Sequence, residues 1–236
     1  STTLDASIFT PAIDDEIILC LNYDGLYGIN NINRFLQESN PKAAVPWEIQ
    51  QYKVNDPILF NENNRFEPII YNNMKGRIVN IQILDRGKPT ERIQFDIELD
   101  KVINAIDASD QDFELLDSAD SGNSIIRFCV NKQKTDDDDD DSSNAVIPFQ
   151  VAYAVSIHKA QGLEYNSVKI VITDEIDELI THNIFYTAIT RARNELKIYW
   201  SPEVEQRVLC SIKPQNINRD VQLLKKSINN LEMNNF

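Results

Sequence analysis

The chain has 236 residues, 42% hydrophobic and 25% charged, which is enough for a buried core and ordinary for a water-soluble fold. Lys and Arg total 23 against 37 Asp and Glu. The net charge of −14 excludes a broadly basic nucleic-acid-binding surface and confines any such contact to a local groove.

The first 14 residues lack periodicity and read as a linker or edge. Glu16 to Leu21 is a short apolar run suited to a buried strand. Gly25 and Gly28 bracket a turn, after which Ile29, Ile32, Phe35 and Leu36 recur at helical spacing. The Ser39-Asn40-Pro41 sequence ends that helix. Strand followed by helix is the unit of an α/β sheet.

From Gln50 to Pro148 the texture becomes β. Ile58 to Phe60, Gly76 to Leu84 and Glu91 to Leu99 read as strands, the last two joined by the turn Asp85-Arg86-Gly87-Lys88-Pro89. Ile125 to Val130 and Ala145 to Phe149 add two apolar runs. This pattern predicts a small β-barrel inserted at 50–148, with a long β-hairpin excursion as the alternative. Six consecutive carboxylates, Asp136 to Asp141, repel one another and predict a solvated acidic loop over 135–144.

From Val151 the α/β pattern resumes. Val168 to Thr173 reads as a strand buried on both faces, Asn183 to Arg193 as a helix with Ile184, Ala188 and Ala192 on one stripe, and Glu195 to Trp200 as a strand. Ser201 as N-cap and Pro202 at the first helical position open a last helix, and 213–236 form a peripheral tail. The α/β unit is thus expected to be discontinuous, over 15–49 and 149–212.

Two segments are dense in chemistry. Ser156, His158, Lys159, Gln161, Gly162 and Glu164 crowd a short stretch directly before a buried strand. The polar side chains suit phosphate or sugar oxygens, the glycine permits close backbone approach, and Glu164 suits a ribose hydroxyl. The second segment holds Arg191 and Arg193, which roughly 200° of helical rotation would aim at different targets. A guanidinium aimed at a transferring phosphoryl group stabilises the charge developing there. Thr173-Asp174-Glu175 imitates a Walker B carboxylate pair, but its position favours an ordinary strand-end turn. Trp47, Phe66 and Tyr71 are read as packing residues rather than base-stacking ones, and Tyr186 as core.

These segments, Ala152 to Tyr165 and Tyr186 to Arg193, resemble motifs V and VI of superfamily 1 helicases in their RecD-like form, AYA-x-T-x-HK-x-QG-x-E-[FY] and YTAITRA[KR]. Leu26 to Gln37 with Asn40-Pro41 is similar to that family's G-x-x-x-LN-x-x-LQ…NP stretch. Val54-Asn55-Asp56, Asn63-Asn64 and Tyr71 to Gly76 are similar to its V-G-D-x-V…NN…F-N-G-D-x-G block. Asn55 stands where the family has glycine, Asn73-Met74-Lys75 replaces a Gly-Asp pair before Gly76, and Ser156 replaces threonine.

The resemblance implies an α/β fold: a RecA-like parallel sheet flanked by helices, with an inserted SH3-like barrel. It implies Arg191 as an arginine finger, Gly162 and Glu164 on the nucleotide, and Ser156, His158, Lys159 and Gln161 toward the nucleic-acid strand. Asn63 and Asn64 weigh equally as turn formers and as strand contacts. ATP with Mg²⁺ is the implied cofactor, held mainly by an N-terminal RecA-like domain of the same protein. No GxxxxGK[ST] loop occurs in this sequence, so the chain alone is expected to be inactive. The implied partner strand is single-stranded DNA, with RNA as the alternative.

No metal site is expected. No apolar run reaches the roughly 18–20 residues of a membrane span, and the start lacks a basic-then-apolar leader. Cys20, Cys129 and Cys210 are widely spaced and read as small buried hydrophobes, consistent with a cytoplasmic setting. The competing function is a helicase-like interaction module that binds protein or RNA without motor activity.

Overall fold

A computed structural model describes residues 15–61, 65–104, 111–116, 122–132, 142–173 and 182–211. Its first strand, β1 (Glu16–Cys20), lies at the centre of a parallel sheet with β10 (Ala154–Ser156) on one side and β11 (Tyr165–Val171) on the other. β12 (Ala192–Tyr199) adds beyond β11, also parallel. Helix α1 (Ile29–Ser39) buries Ile29, Ile32 and Leu36, its apolar stripe, against one face with Ile18, Cys20 and Val171. Helices α2 (His182–Ile189) and α3 (Pro202–Ser211) pack with Ile17, Leu19, Val168 and Ile170 on the other face. Sheet faces covered on both sides explain the nearly continuous apolar runs of β1 and β11.

A buried polar cluster breaks that apolar pattern. Lys169, in the middle of β11, is 2% exposed at its side chain and reaches Glu16 Oε1 at 2.6 Å. Ser167 donates to the other Glu16 oxygen at 2.7 Å. A buried pair of this kind adds little net stability, but losing one partner strands the other charge. It therefore fixes which residues of β1 and β11 face each other.

Between α1 and β10 the chain builds a separate antiparallel unit. β4 (Pro57–Phe60), β5 (Lys75–Leu84), β6 (Arg92–Leu99), β7 (Glu114–Leu116), β8 (Ile125–Asn131) and β9 (Phe149–Val151) form one sheet in the order β7-β8-β6-β5-β4-β9. β2 (Ala44–Trp47) and β3 (Gln50–Lys53) form a hairpin. Tyr52, Phe60, Phe66, Phe95, Phe128 and Phe149 interlock edge-on or tilted in a core of their own. Trp47 and Phe66 are buried there, as packing residues should be.

Several expectations shift. Phe149–Val151, assigned from sequence to the parallel unit, pairs with β4 instead. Ala145 to Phe149 is mostly a short 3₁₀ turn (Ser142–Ala145) and loop, with only Phe149 reaching a strand. Helix α2 stops at Ile189 rather than Arg193, because Ala192 pairs with Tyr165 and starts β12. Tyr186, expected in the core, is 59% exposed, and Cys210 is also exposed. Cys20 is buried as expected, and that burial pushes its thiol up to about 12. The acidic run, Asn63, Asn64, Asp174, Glu175 and the 213–236 tail lie outside the described residues.

Candidate nucleotide and strand site

The two chemistry-bearing segments meet in space. After β10 the chain turns at once: Ile157 N–H donates to the Cys20 carbonyl, and Lys159 N–H to Ser156 Oγ at 3.2 Å. The Ser156 hydroxyl is thereby buried inside the turn as an acceptor. His158 and Gln161 face solvent on the outer side of the loop. Lys159 sends its ammonium back to Gln150 Oε1 on β9, so this end of the loop is tied to the inserted sheet.

The strand registers give the loop its span. Ser156 sits level with Cys20 at the carboxyl end of β1, whereas Tyr165 begins β11 two residues below the level of Glu16. The segment 157–164 therefore crosses the sheet end to end, a distance of about 20 Å at 3.3 Å per strand residue. The residues singled out along and beside it fall into two groups. Ser156, His158 and Lys159 stand at one end, and Gly162 and Glu164 at the other.

At that second end Gly162 takes φ +85°, in the left-handed region, with nothing within 4 Å of where a Cβ would stand. Its requirement is conformational rather than one of close packing. Arg191 lies in the turn between α2 and β12. Its Nε donates to the Thr187 carbonyl at 2.9 Å, Nη1 to the Leu163 carbonyl at 3.0 Å and Nη2 to Thr190 Oγ1 at 3.0 Å. Arg193 Nε meets Glu164 Oε2 at 2.9 Å, in an exposed pair. Because α2 ends early, the two arginines do not diverge around a helix as the sequence suggests. Both address residues 163 and 164. An arginine has five N–H donors, so Arg191 keeps two for a ligand while three hold its orientation.

A second convergence went unread in the sequence. Asp56 is fully buried, and its carboxylate accepts from the Gln37 amide, Asn40 Nδ2 (2.9 Å), the Tyr153 hydroxyl (2.8 Å) and Lys53 N–H (2.9 Å). Lys53 Nζ in turn donates to the Asn40 carbonyl at 2.8 Å. Burial, with the Asp56 charge beside it, pushes the Tyr153 phenol well above its usual range, so it stays a donor. Gln37, Asn40, Asp56 and Tyr153 each belong to a quoted motif fragment. Their separation in sequence hides that they form one knot between α1, the inserted unit and β10.

Above this knot a cleft of about 810 Å³ opens between α1, the β2–β3 hairpin and β9. Asn33, Arg34, Gln37, Gln51 and Gln150 line it, the last being the partner of Lys159. Among the described residues no group of His, Cys, Asp and Glu is arranged to hold a metal ion.

Residues 151–199 match the family model of the UvrD-like helicase C-terminal domain. Over 194 residues the chain is 24% identical to the RecBCD enzyme subunit RecD of Buchnera aphidicola subsp. Schizaphis graminum, covering 79% of this chain and 25% of that protein. A 49-residue stretch is 35% identical to RecD of Mycolicibacterium smegmatis, covering 21% of this chain and 9% of that one. The solved structure of Bacteroides Pif1 bound to ssDNA aligns with a TM-score of 0.46 and 15% identity, over 93% of this chain and 47% of that chain. The chain thus spans about a quarter of the length of the Buchnera relative. The resemblance to the C-terminal domain of superfamily 1 helicases, drawn from the two segments, is borne out.

Proposed function

We propose that the chain is the second motor half of an ATP-dependent DNA helicase or translocase, supplying one wall of an ATP site and the segment that couples it to a single strand. The parallel unit is then RecA-like, and the inserted unit is the family's small SH3-like barrel. An N-terminal RecA-like domain of the same protein carries the phosphate-binding loop and most of the Mg²⁺-ATP contacts, in a cytoplasmic setting.

One observation carries the reading: Arg191 is bonded to the Leu163 carbonyl, so the guanidinium and the Gly162–Glu164 turn form one rigid corner. In this reading Arg191 faces the γ-phosphate across the interdomain cleft and stabilises charge as the phosphoryl group leaves. Gly162 and Glu164 flank the nucleotide. His158, Lys159 and Gln161 sit at the strand side of the same loop, with the turn that orients them closed on Ser156. The strand is held by phosphate and amide contacts along the cleft beside Lys159, with little sequence preference. Closure on ATP and release after hydrolysis step the strand.

The test is Arg191→Ala in the intact protein. Turnover should fall by roughly 10³-fold or more while nucleotide binding is largely kept. Unchanged turnover removes the finger assignment. The 236-residue chain alone should hydrolyse no ATP, and robust hydrolysis by it would overturn the half-site reading. The competing interaction-module reading draws on the net charge of −14. It would be favoured if single-strand affinity of the intact protein did not weaken with salt.

A further inference from the structure

The far end of the loop is held from three sides. Arg191 and Arg193 grip Leu163 and Glu164 from the α2–β12 corner. From the segment before β1, Asp15 Oδ2 accepts the Asn166 N–H at 3.2 Å. From the inserted sheet comes Lys75, the first residue of β5. Its Nζ donates to the Glu164 carbonyl at 3.2 Å, pairs with Asp15 Oδ1 at 2.9 Å and stands 4.5 Å from the centroid of the Tyr165 ring. The side chain is only 21% exposed, so these interactions are partly shielded from solvent.

β5 is a stiff place from which to reach. At the next residue, Gly76, a Cβ would come within 2.9 Å of Ile97 Cγ2 and 3.1 Å of the Glu98 carbonyl. Lys75 itself pairs in register with Leu59 of β4. A displacement of the inserted sheet therefore carries the Lys75 ammonium with it rather than being absorbed locally.

We propose that Lys75 is a positioning residue that transmits movement of the inserted sheet to Glu164, and so links strand occupancy to nucleotide affinity. This rests on the reading of the 157–164 loop as the ATP-to-strand coupling segment. In this reading Lys75 acts through Glu164 rather than on either ligand. It sets the height of the Glu164 carbonyl, and the Arg193–Glu164 and Arg191–Leu163 bonds pass that setting to the corner.

Two arms test it. In the intact protein, the factor by which a saturating oligothymidine strand tightens binding of a non-hydrolysable ATP analogue is measured for wild type, Lys75→Met and Lys75→Arg. Lys75→Met, which keeps the aliphatic stem, should cut that factor about fivefold, and Lys75→Arg should restore most of it. An unchanged factor in Lys75→Met, or no restoration by Lys75→Arg, overturns the proposal. In the 236-residue chain, amide hydrogen exchange of residues 163–166 should quicken in Lys75→Met and not in Lys75→Arg. Equal exchange in all three overturns the positioning role whatever the intact protein does. A wild type with no strand-dependent change in nucleotide affinity would overturn the functional reading and the linkage with it, while the exchange arm still decides whether Lys75 holds the loop.

Discussion

The Tyr153 hydroxyl donates to Asp56 Oδ1 at 2.8 Å, and this bond fastens the entry to the last part of the parallel sheet to the turn that opens the inserted sheet. Asp56 is fully buried, yet four donors surround it. The carboxylate is tolerable in the interior only because every donor is aimed at it.

Tyr153→Phe should therefore cost about 1 kcal/mol, the usual worth of one hydrogen bond. Asp56→Ala should cost roughly 3 kcal/mol or more, since it takes the acceptor from four buried donors at once, although the Gln37 and Asn40 amides keep the Gln51 and Val54 carbonyls. Combining the two should cost less than their sum. Urea denaturation of the four species measures this, and strict additivity would mean that the two groups do not interact.

Asn55 and Asn73 adopt φ of +74° and +66° at two turns where the quoted family pattern has glycine. Both are anchored by their backbones: Asn55 N–H to the Ile78 carbonyl and Asn73 N–H to the Phe60 carbonyl, each at 2.8 Å. Asparagine is the side chain best able to stand in for glycine in the left-handed region. Asn55→Gly should be near neutral in thermal melts, whereas Asn55→Val should lose about 1–2 kcal/mol. Equal stability of the two variants would show that this turn does not need its left-handed residue.

Gly162 obeys the same conformational demand with open space around it. Gly162→Ala should cost about 1 kcal/mol through backbone strain alone. Gly162→Asn should recover much of that loss, because no steric barrier stands in its way. If asparagine proves as damaging as alanine, the position serves something other than its φ. Circular-dichroism melts decide between them.

Asp96 lies directly across from Arg127 and Asn80 in the inserted sheet. Burial pushes its carboxyl up, but the bonds from Arg127 (2.7 and 2.8 Å) and Asn80 (3.0 Å) outweigh this and hold it below the usual carboxylate range. A carboxyl depressed on folding contributes stability above its unfolded value, about pH 3.9. That contribution is lost as pH falls through the folded value beneath it. Arg127 is one-third exposed, so the advantage of wild type over Asp96→Asn should be only about 1 kcal/mol at pH 7. It should shrink below about pH 4. An advantage that persists unchanged at pH 2.5 would locate it in packing rather than charge.

Much of the parallel unit could be read directly from sequence. Helical spacing of Ile29, Ile32 and Leu36 marked α1, and the apolar runs marked β1 and β11, because each element buries a contiguous or periodic face. β10 escaped notice, since three residues carry no period. The β2–β3 hairpin was hidden by Pro46 and by exposed Gln50 and Gln51. α2 was overextended because Ala192 has high helix propensity, while the pairing of β12 with β11 decides its true state. In the candidate site, residue types were legible but partners were not. Arg191 stands out as a guanidinium, whereas nothing in the Tyr71 to Gly76 stretch ties Lys75 to the loop, because its contact with Glu164 arises only from where β5 begins.

The Ala152 N–H donates to the Pro57 carbonyl at 2.8 Å, so the chain leaves the inserted unit beside the point where it enters. Seen from the parallel sheet, everything between those two residues is a single closed loop on a fixed base. The entropy of closing a loop rises only with the logarithm of its length. Lengthening or shortening this appendage away from its base should therefore leave β11 and β12 in place.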